Sequence, residues 1–359
     1  MRNTYSMIIF LLIFSFAFIG LHLYASSFIS RNIKNFQHVR AFFLALAFLS
    51  IFSMFLRRSL DNDIFRFFSL AGFFWMGAVL VIAFVFSIAD ISMLFLRGKA
   101  ISSRIPWFAV AISIFLSLKA LYNGLSDVNL KKLDINLGLR EPVKIAFLSD
   151  AHADFPFRKK LFFKSLEKAM AENPDFLILG GDLLDPGFQM SDEEFKKLRE
   201  LKAEKIAVLG NHEYYYGLDK ARDFYEKAGF KLIVNSSALV NGINFIGLAD
   251  IRTENMSREE SLKVFSSLYR NEAPNILLSH EPVYFDSFSS KHRVLMLSGH
   301  VHKAQIFPFH FFVRLAYRYF YGFYPGANGS SLYVSSGSGT WGPPMRLLAE
   351  AEIPIISVR

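Results

Sequence analysis

The pattern of apolar and polar residues changes near residue 125. Before that point, long uncharged apolar runs alternate with short charged joints, whereas beyond it apolar runs of five to seven residues alternate with charged amphipathic stretches. Long runs are typical of membrane-spanning helices, and short runs separated by helical stretches are typical of an α/β domain. The pattern predicts an N-terminal α-helical transmembrane region over residues 1–125, a linker over 126–142 and an α/β domain over 143–359.

Four apolar segments in the N-terminal region are candidates for membrane spans, because a crossing takes roughly 20 mostly apolar residues. They are Tyr5–Tyr24, 41–56, 67–89 and 105–118. We predict about four spans. Lys and Arg are confined to the joints, which argues against buried helices of a soluble protein. A cleaved signal peptide is disfavoured, since Arg2 is its only basic flank and further apolar segments follow.

The basic residues of the loops do not fix the orientation of these spans. One side carries Arg31, Lys34, Arg40, Arg97, Lys99 and Arg104, and the other carries Arg2, Arg57, Arg58, Arg66, Lys131 and Lys132. Because the two counts are nearly equal, the positive-inside rule does not predict which side of the membrane is cytoplasmic. Asp90, near the end of the third span, has two interpretations. A charge inside a bilayer marks a functional site, whereas at a helix end it simply reaches water.

Composition and charge narrow the functional classes. The chain of 359 residues is 52% hydrophobic and contains 41 Phe, more than soluble domains carry. Of its net charge of +9, a net of +8 lies in residues 1–125. The basic excess therefore anchors helix ends to lipid headgroups, and we expect no nucleic-acid partner. The absence of cysteine excludes disulfides, thiolate metal sites and cysteine nucleophiles.

Chemically active side chains follow the five strand-like runs of the second domain. The runs are 143–149, 176–180, 205–210, 275–279 and 294–298. The side chains that follow them are Asp150, His152, Asp182, Asn211, His212, His280, His300 and His302. In open α/β sheets, ligands bind at the carboxyl ends of the strands. We therefore expect these side chains to converge on one site.

The donor types predict a pair of metal ions. Carboxylates, an amide and imidazoles form a nitrogen and oxygen set that suits Mn²⁺, Fe²⁺ or Zn²⁺ better than Ca²⁺. Seven such ligands exceed the needs of one ion and fit two ions that share a carboxylate. Two neighbouring ions activate a bridging water and neutralise phosphoryl oxygens. Each short motif alone also occurs by chance, but five of the nine histidines fall directly after predicted strands.

Five motifs in order carry a resemblance to a known family. They read SDAH at 149–152, GGDLLD at 180–185, GNHE at 210–213, SH at 279–280 and GHVH at 299–302. The sequence resembles the calcineurin-like metallophosphoesterase superfamily, in particular its membrane-associated branch. The resemblance covers about residues 143–358. It implies an αββα four-layer sandwich with a dinuclear metal site at the strand ends.

The resemblance also implies roles for the residues that match the motifs. Asp150, His152 and His302 would hold one ion, Asn211, His280 and His300 the other, and Asp182 would bridge the two. His212 would bind no metal and would donate a proton to the leaving oxygen or stabilise the charged phosphoryl group. Asp185 and Glu213 would orient the ligands through hydrogen bonds.

Two further features have two interpretations each. Residues 306–326 are unusually aromatic, with Arg314 and Arg318 interleaved. They form either a membrane-contacting lip that guides a lipid-linked substrate or elements that pack their rings into the domain. Arg346, in the glycine-rich tail that resembles the ending of the membrane-associated branch, contacts a substrate phosphate or forms a structural ion pair.

These predictions favour an integral protein of the bacterial cytoplasmic membrane. We expect a phosphohydrolase that cleaves a phosphomonoester or phosphodiester by attack of a metal-bridging water, on a substrate that is lipid-linked. The alternatives are a nucleotide-lipid pyrophosphatase similar to UDP-2,3-diacylglucosamine hydrolases and a membrane sensor that keeps the fold without turnover. A transporter is disfavoured, because the short spans show no internal repeat.

Overall fold

The computed structural model of the chain describes residues 2–56, 63–139 and 141–359. Arg57 and Arg58, two of the basic residues counted above on the two sides of the membrane, lie outside the described residues. The chain divides into two compact units. The helical unit consists of residues 1–125, 306–308 and 342–347, and the sheet unit consists of residues 126–305, 309–341 and 348–359.

Each predicted apolar segment coincides with a helix of the helical unit. These are α1 (Arg2–Asn32), α2 (Val39–Leu56), α3 (Asp63–Phe95) and α4 (Ile105–Leu125), with a 3₁₀ turn at Ala100–Arg104. Among the described residues, two helical stretches, Ile64–Phe95 and Ala100–Leu125, are long and apolar enough to cross a membrane. Val39–Ser53 is apolar but shorter.

Aromatic stacking and a few polar pairs hold the helices of this unit together. The rings of Phe28 in α1 and Phe86 in α3 stack with centroids 4.2 Å apart. Asp90 accepts a hydrogen bond from the Tyr24 hydroxyl at 2.9 Å and pairs with Arg31 at 3.1 Å. The charge of Asp90 is therefore balanced at the end of α1. This pairing favours the interpretation of Asp90 as a helix-end residue.

The sheet unit contains two six-stranded sheets. The first sheet includes the first and the last strand of the unit. Its strands are β1 (Asn129–Ile135), β2 (Val143–Leu148), β3 (Phe176–Leu179), β4 (Glu204–Ala207), β5 (Lys231–Leu232) and β12 (Glu352–Val358). They lie in the order β1-β12-β2-β3-β4-β5. β2 to β5 are parallel, and β12 runs antiparallel to β2 and parallel to β1.

The second sheet has a parallel centre with an antiparallel strand at each edge. Its strands are β6 (Ser236–Val240), β7 (Ile243–Gly247), β8 (Asn275–Leu278), β9 (Leu295–Ser298), β10 (Gly322–Pro325) and β11 (Ser331–Val334). They lie in the order β10-β11-β9-β8-β7-β6. β7, β8, β9 and β11 are parallel, whereas β6 and β10 are antiparallel to their neighbours.

Helices cover the outer face of each sheet and complete four αββα layers. The helices of the sheet unit are α5 (Pro156–Ala171), α6 (Asp192–Arg199), α7 (Asn211–Tyr216), α8 (Leu218–Lys227), α9 (Arg258–Leu268), α10 (Phe285–Ser289) and α11 (His310–Ala316). Of these, α5, α6, α8, α9 and α10 bury side chains in the cores on the outer faces. In β2, Phe147 points into the core between the sheets, and Leu148 points into the core under α5, α6 and α8. Successive side chains of a strand face opposite sides, so a strand covered on both faces is apolar throughout. The predicted fold class is confirmed.

The range predicted as a linker contributes a strand. Residues 129–135 form β1, which pairs along its whole length with β12. β1 lies at the edge of the sheet, and Lys131 and Lys132 lie on it as partners of Pro354 and Ile355. Pro354 of β12 precedes the residues of that strand that pair with β2. An edge strand tolerates charged residues, because one side of it needs no partner. This explains why its polar sequence carries no strand signal.

Candidate metal centre

The five predicted strands bring the predicted ligands to one place. Asp150 follows β2, Asp182 follows β3, Asn211 begins α7 after β4, His280 follows β8 and His300 follows β9. Hydrogen bonds connect the strand ends of the two sheets. The peptide N–H of His300 donates to Asp150 Oδ1 at 2.9 Å, and Nδ1 of His280 lies 2.8 Å from the carbonyl oxygen of Gly180.

Five of the predicted ligands adopt left-handed backbone conformations. Their φ angles are 55° at Asp150, 44° at His152, 54° at Asp182, 69° at His300 and 47° at His302. Such conformations are costly for residues other than glycine and cluster at functional sites, where the surrounding structure holds them. The backbone is therefore bent to direct these side chains inward.

One group of ligand atoms consists of Asp150, His152 and His302. Their side chains are buried, and their nearest ligand atoms all lie within 4.8 Å of one another. Nε2 of His302 lies 3.3 Å from Asp150 Oδ1 and 3.1 Å from Nε2 of His152. Nδ1 of His152 faces Asp185 Oδ2 at 2.9 Å, which leaves Nε2 as the nitrogen with a lone pair. Both Nε2 atoms thus face a common point.

A second group consists of Asp182, His280 and His300, again within 4.8 Å. Asp182 Oδ2 lies 3.0 Å from Nε2 of His280. Asn211 joins this group, because its Oδ1 lies 3.2 Å from Nδ1 of His300. The structure therefore brings the side chains of all seven predicted ligands close together, and their division between two ions stays a prediction.

Asp182 lies between the two groups. Its Oδ2 is 3.0 Å from Nε2 of His280 in one group and 3.9 Å from Nε2 of His152 in the other. Its Oδ1 accepts the peptide N–H of His212 at 2.9 Å, which fixes the orientation of the carboxylate. A single oxygen thus faces imidazoles of both groups.

Burial and neighbouring charges shift the pKa values of the carboxylates and imidazoles in the site. Burial opposes ionisation of Asp182, but His280, His212 and His152 together outweigh it and hold the pKa of Asp182 well below its usual range. Burial favours the neutral form of His280, but Asp182 raises the pKa of His280 well above its usual value. Burial, together with His280, lowers the pKa of His300 to about 3. A cation bound between Asp182 and His280 would take the place of a proton, because metal ligands must be deprotonated.

The arrangement fits divalent cations. Nε2 of His280 is buried and makes no hydrogen bond of good geometry, although Asp182 Oδ2 is close. A buried nitrogen without a hydrogen bond requires an explanation, and a metal ion supplies one. Imidazole, carboxylate and amide donors are also the set that Mn²⁺, Fe²⁺ and Zn²⁺ accept.

Asp185 holds two histidines at once. Its Oδ1 lies 2.6 Å from Nδ1 of His212, and its Oδ2 lies 2.9 Å from Nδ1 of His152. His152, Asp185 and His212 also lie within 4.8 Å of one another, but here the carboxylate already bonds to one nitrogen of each ring. This group orients side chains. The His212 ring packs 4.6 Å from that of His152.

Glu213 fastens the loops that carry the site. Its buried carboxylate accepts the peptide N–H groups of Asp182, Leu183, Leu184 and Gly210 at 2.7–3.0 Å. The Tyr225 hydroxyl donates to it at 3.2 Å. Burial, followed by the charge of Asp182, raises the pKa of Glu213 to about 7. The orienting role predicted for Glu213 thus acts on the backbone that carries Asp182.

An outer network around His300 was not predicted. Nε2 of His300 lies 2.8 Å from the Tyr317 hydroxyl and 3.3 Å from Glu281 Oε1. Arg252 pairs with Glu281 at 3.0 Å and lies over the Tyr317 ring at 4.7 Å. Since Nε2 faces these acceptors, Nδ1 of His300 is the nitrogen that faces the site. Burial, followed by Asp250, raises the pKa of Glu281 to about 7.

Two glycines make room for the predicted ligands. A Cβ atom on Gly299 would overlap Oδ2 of Asp150, and a Cβ atom on Gly210 would overlap Oδ1 of Asp182. Glycine is required where another group approaches the backbone this closely.

Arg346 lies in the helical unit and is 1% exposed. Its peptide N–H donates to the carbonyl oxygen of Ala120, and its own carbonyl accepts from Asn123. Arg346 therefore lies in the interior of the helical unit.

Comparisons with known proteins agree with this geometry. The sequence profile described as calcineurin-like phosphoesterase matches residues 143–304, the segment that holds all seven predicted ligands and His212. A metallophosphoesterase of Helicobacter pylori is 33% identical over 282 residues, which cover 75% of this chain and 74% of the relative. A metallophosphoesterase of Aquifex aeolicus is 32% identical over 226 residues, 60% of this chain and 85% of the relative.

One relative is named as a transmembrane protein. The "transmembrane protein with metallophosphoesterase domain" of Bos taurus is 26% identical over 360 residues, which cover 88% of this chain and 78% of the relative. The similarity to this relative extends beyond the segment that the family profile matches.

Proposed function

The chain belongs to the calcineurin-like phosphoesterase family and hydrolyses phosphoric esters, and we propose that it does so at the membrane with two divalent ions. The substrate in this proposal is a phosphomonoester or phosphodiester that is linked to a lipid. The observation that carries the two-ion part is the position of Asp182, whose Oδ2 faces His280 at 3.0 Å and His152 at 3.9 Å.

We assign the ligands by the two groups of side chains. Asp150, His152 and His302 hold one ion, and Asn211, His280 and His300 hold the other. Asp182 is shared. The short distances within each group and the unbonded Nε2 of His280 support this assignment. The identity of the ions among Mn²⁺, Fe²⁺ and Zn²⁺ rests on donor type alone.

When bound, two such metal ions activate a water molecule and neutralise the oxygens of the phosphoryl group. The protein contributes the proton for the leaving oxygen. His212 is 7% exposed, and its Nε2 lies 4.0 Å from Asp182 Oδ2, beside the shared ligand. Asp185 fixes the ring through Nδ1, so Nε2 is the atom that faces the substrate. We propose that His212 donates this proton or stabilises the phosphoryl charge.

The membrane part of the proposal has separate support. Two helical stretches, Ile64–Phe95 and Ala100–Leu125, have the length and composition of membrane spans, and the bovine relative is named as a transmembrane protein. We propose that α1 to α4 anchor the chain in the cytoplasmic membrane of a bacterium, since the relatives from H. pylori and A. aeolicus are bacterial. Such an anchor keeps the site near lipid-linked esters.

The activity is tested with purified full-length protein, Mn²⁺ and bis(p-nitrophenyl) phosphate. We expect turnover that stops when a chelator removes the metal. His212→Ala is expected to lower kcat by about 10²–10⁴-fold, the range for a general acid. Asp182→Asn is expected to abolish turnover, because it removes the shared charge.

Two matched substitutions serve as controls. His38→Ala removes an exposed histidine between α1 and α2, and Asp223→Asn removes an exposed carboxylate of α8. Both are expected to retain activity. Full turnover by Asp182→Asn, or activity that survives metal removal, would overturn the proposed mechanism. A parallel screen of lipid phosphates and nucleotide-linked lipids then identifies the ester.

A further inference from the structure

The aromatic segment divides into a buried part and an exposed part. Tyr319 and Phe320 are buried in the sheet unit. This agrees with the interpretation that the segment packs its rings into the domain. On α11, in contrast, Phe311 is 58% exposed, Phe312 is 61% exposed and Leu315 is 87% exposed. Large apolar side chains in a contiguous exposed patch mark an interaction surface. Packing within the sheet unit does not explain the apolar residues on this face of α11.

The exposed apolar residues are close in sequence to two segments of the helical unit. Residues 306–308 and 342–347 belong to the helical unit, and Ile306 and Met345 lie in its apolar core. The exposed residues next to these two segments are Phe309, Phe311, Phe312, Leu315, Trp341 and Leu348. Nε2 of His310 lies 3.3 Å from the Leu348 carbonyl oxygen, which links the two flanking stretches. In sequence, each of these exposed residues stands within seven positions of a segment that belongs to the unit with the membrane-length helices.

Basic side chains border the same helix. A cavity of about 330 Å³ is lined by Lys303, Arg314, Tyr317 and Arg318, among others. Lys303 lies over the Tyr321 ring at 4.4 Å, and Arg314 lies over the Phe320 ring at 5.0 Å. Arg318 pairs with Asp286, whereas within the described residues no carboxylate forms an ion pair with Lys303 or Arg314. The cavity therefore presents positive charge.

One residue that lines the cavity contacts a predicted metal ligand. Tyr317, which lines it, follows α11 directly and places its hydroxyl 2.8 Å from Nε2 of His300. A ligand in the cavity would therefore lie one side chain away from a predicted metal ligand.

We propose that α11 lies in the headgroup region of the bilayer, with its apolar side chains among the acyl chains and the basic cavity around the anionic headgroup of a phospholipid. Short amphipathic helices bind membranes in this way, with aromatic rings at the interface and Lys or Arg near anionic lipids. The proposal rests on the membrane anchoring proposed above and gives the lipid-linked substrate a path to the metal centre.

Spin labels test the position of α11, since the chain has no native cysteine. Single variants Phe312→Cys and Leu315→Cys are labelled with a nitroxide and reconstituted as full-length protein in phosphatidylcholine and phosphatidylglycerol vesicles. Power saturation compares collisions with oxygen, which partitions into lipid, and with a nickel chelate, which stays in water. We expect both labels to shift to oxygen access and lose nickel access.

Two reference labels separate this proposal from the one on which it rests. Phe115→Cys reports on α4, where Phe115 is 66% exposed, and Leu239→Cys reports on the β6–β7 hairpin, where Leu239 is 50% exposed. We expect lipid contact at position 115 and water at position 239. Lipid contact at 115 with water at 312 and 315 would overturn the α11 proposal alone. Water at 115 would overturn the membrane anchoring itself. Labels at 312 and 315 that are shielded from both reagents would indicate a protein partner or a second copy and would also overturn it.

The headgroup site is tested in the same assay. The oxygen access of the label at position 312 is expected to rise with the fraction of phosphatidylglycerol. The double variant Lys303→Gln/Arg314→Gln is expected to lose this dependence, whereas Lys263→Gln, an exposed lysine of α9, is expected to keep it. An unchanged dependence in the double variant would contradict the headgroup site.

Discussion

Oδ1 of Asp185 lies 2.6 Å from Nδ1 of His212, while Oδ2 of the same carboxylate lies 2.9 Å from Nδ1 of His152. One buried side chain thus orients both the proposed proton donor and a proposed metal ligand. Burial opposes its ionisation, but His212 and His152 hold the pKa of Asp185 well below its usual range. Asp185 therefore stays a hydrogen-bond acceptor for both rings.

Asp185→Asn is expected to lower kcat by about 10–100-fold, the usual effect of losing a partner that orients a ligand or catalytic group. The amide presents a donor to one of the two Nδ1–H groups, so one ring loses its fixed orientation. Steady-state kinetics and the metal content of the same preparation measure both effects. Asp223→Asn is the matched control. Unchanged kcat in Asp185→Asn would contradict the orienting role.

Tyr317→Phe is expected to weaken the binding of one of the two ions about tenfold. The substitution removes the hydroxyl that lies 2.8 Å from Nε2 of His300, and with it the contact that directs Nδ1 toward the site. Titration of metal-free protein with Mn²⁺ measures the two affinities separately. Tyr269→Phe is the control, because the hydroxyl of Tyr269 donates to the carbonyl oxygen of Arg293 and not to a predicted ligand. Equal affinities in wild type and Tyr317→Phe would exclude this contribution.

Glu213→Gln is expected to destabilise the sheet unit by about 1–3 kcal/mol, the cost of leaving a buried donor without an acceptor. Each carboxylate oxygen of Glu213 accepts two peptide N–H groups, and a glutamine NH₂ group would face two of these donors. The thermal unfolding midpoint of purified protein reports the change. Glu226→Gln, on the exposed face of α8, is expected to leave the midpoint in place. A midpoint that Glu213→Gln also leaves unchanged would refute the account of this carboxylate.

The central strands and the ligand set were readable from the sequence because their signals are local. A strand buried on both faces is a continuous apolar run, so 143–149 and 176–180 predicted β2 and β3 to within one residue. The ligands follow such runs directly. The N-terminal apolar runs likewise predicted the positions of α1 to α4.

Two of the elements that were missed, β1 and β12, depend on contacts between distant residues. β1 and β12 are 217 or more residues apart in the chain and pair only in the folded sheet, and their sequences contain lysines and Pro354. The β6–β7 hairpin had a local signal, Asn241-Gly242, which is typical of a tight hairpin turn. Both residues have positive φ angles, 48° and 77°.

The outer contacts of the site were also beyond sequence analysis. Glu281 stands next to the predicted ligand His280, but its partner Arg252 follows a different strand, β7. Tyr317 lies in the aromatic segment, where nothing in the spacing distinguishes it from the neighbouring tyrosines. Only the fold brings these three side chains to His300.

The most direct test of the account is the metal content of active protein, because the central claim is that Asp182 is shared by two ions. Purified wild-type protein and Asp182→Asn are freed of loosely bound metal, and metal per chain is measured by inductively coupled plasma mass spectrometry alongside phosphodiesterase activity. We predict about two ions per active wild-type chain, as in two-metal hydrolases, and fewer in Asp182→Asn. Active protein without bound metal, or an Asp182→Asn variant that keeps both ions and full activity, would contradict the claim.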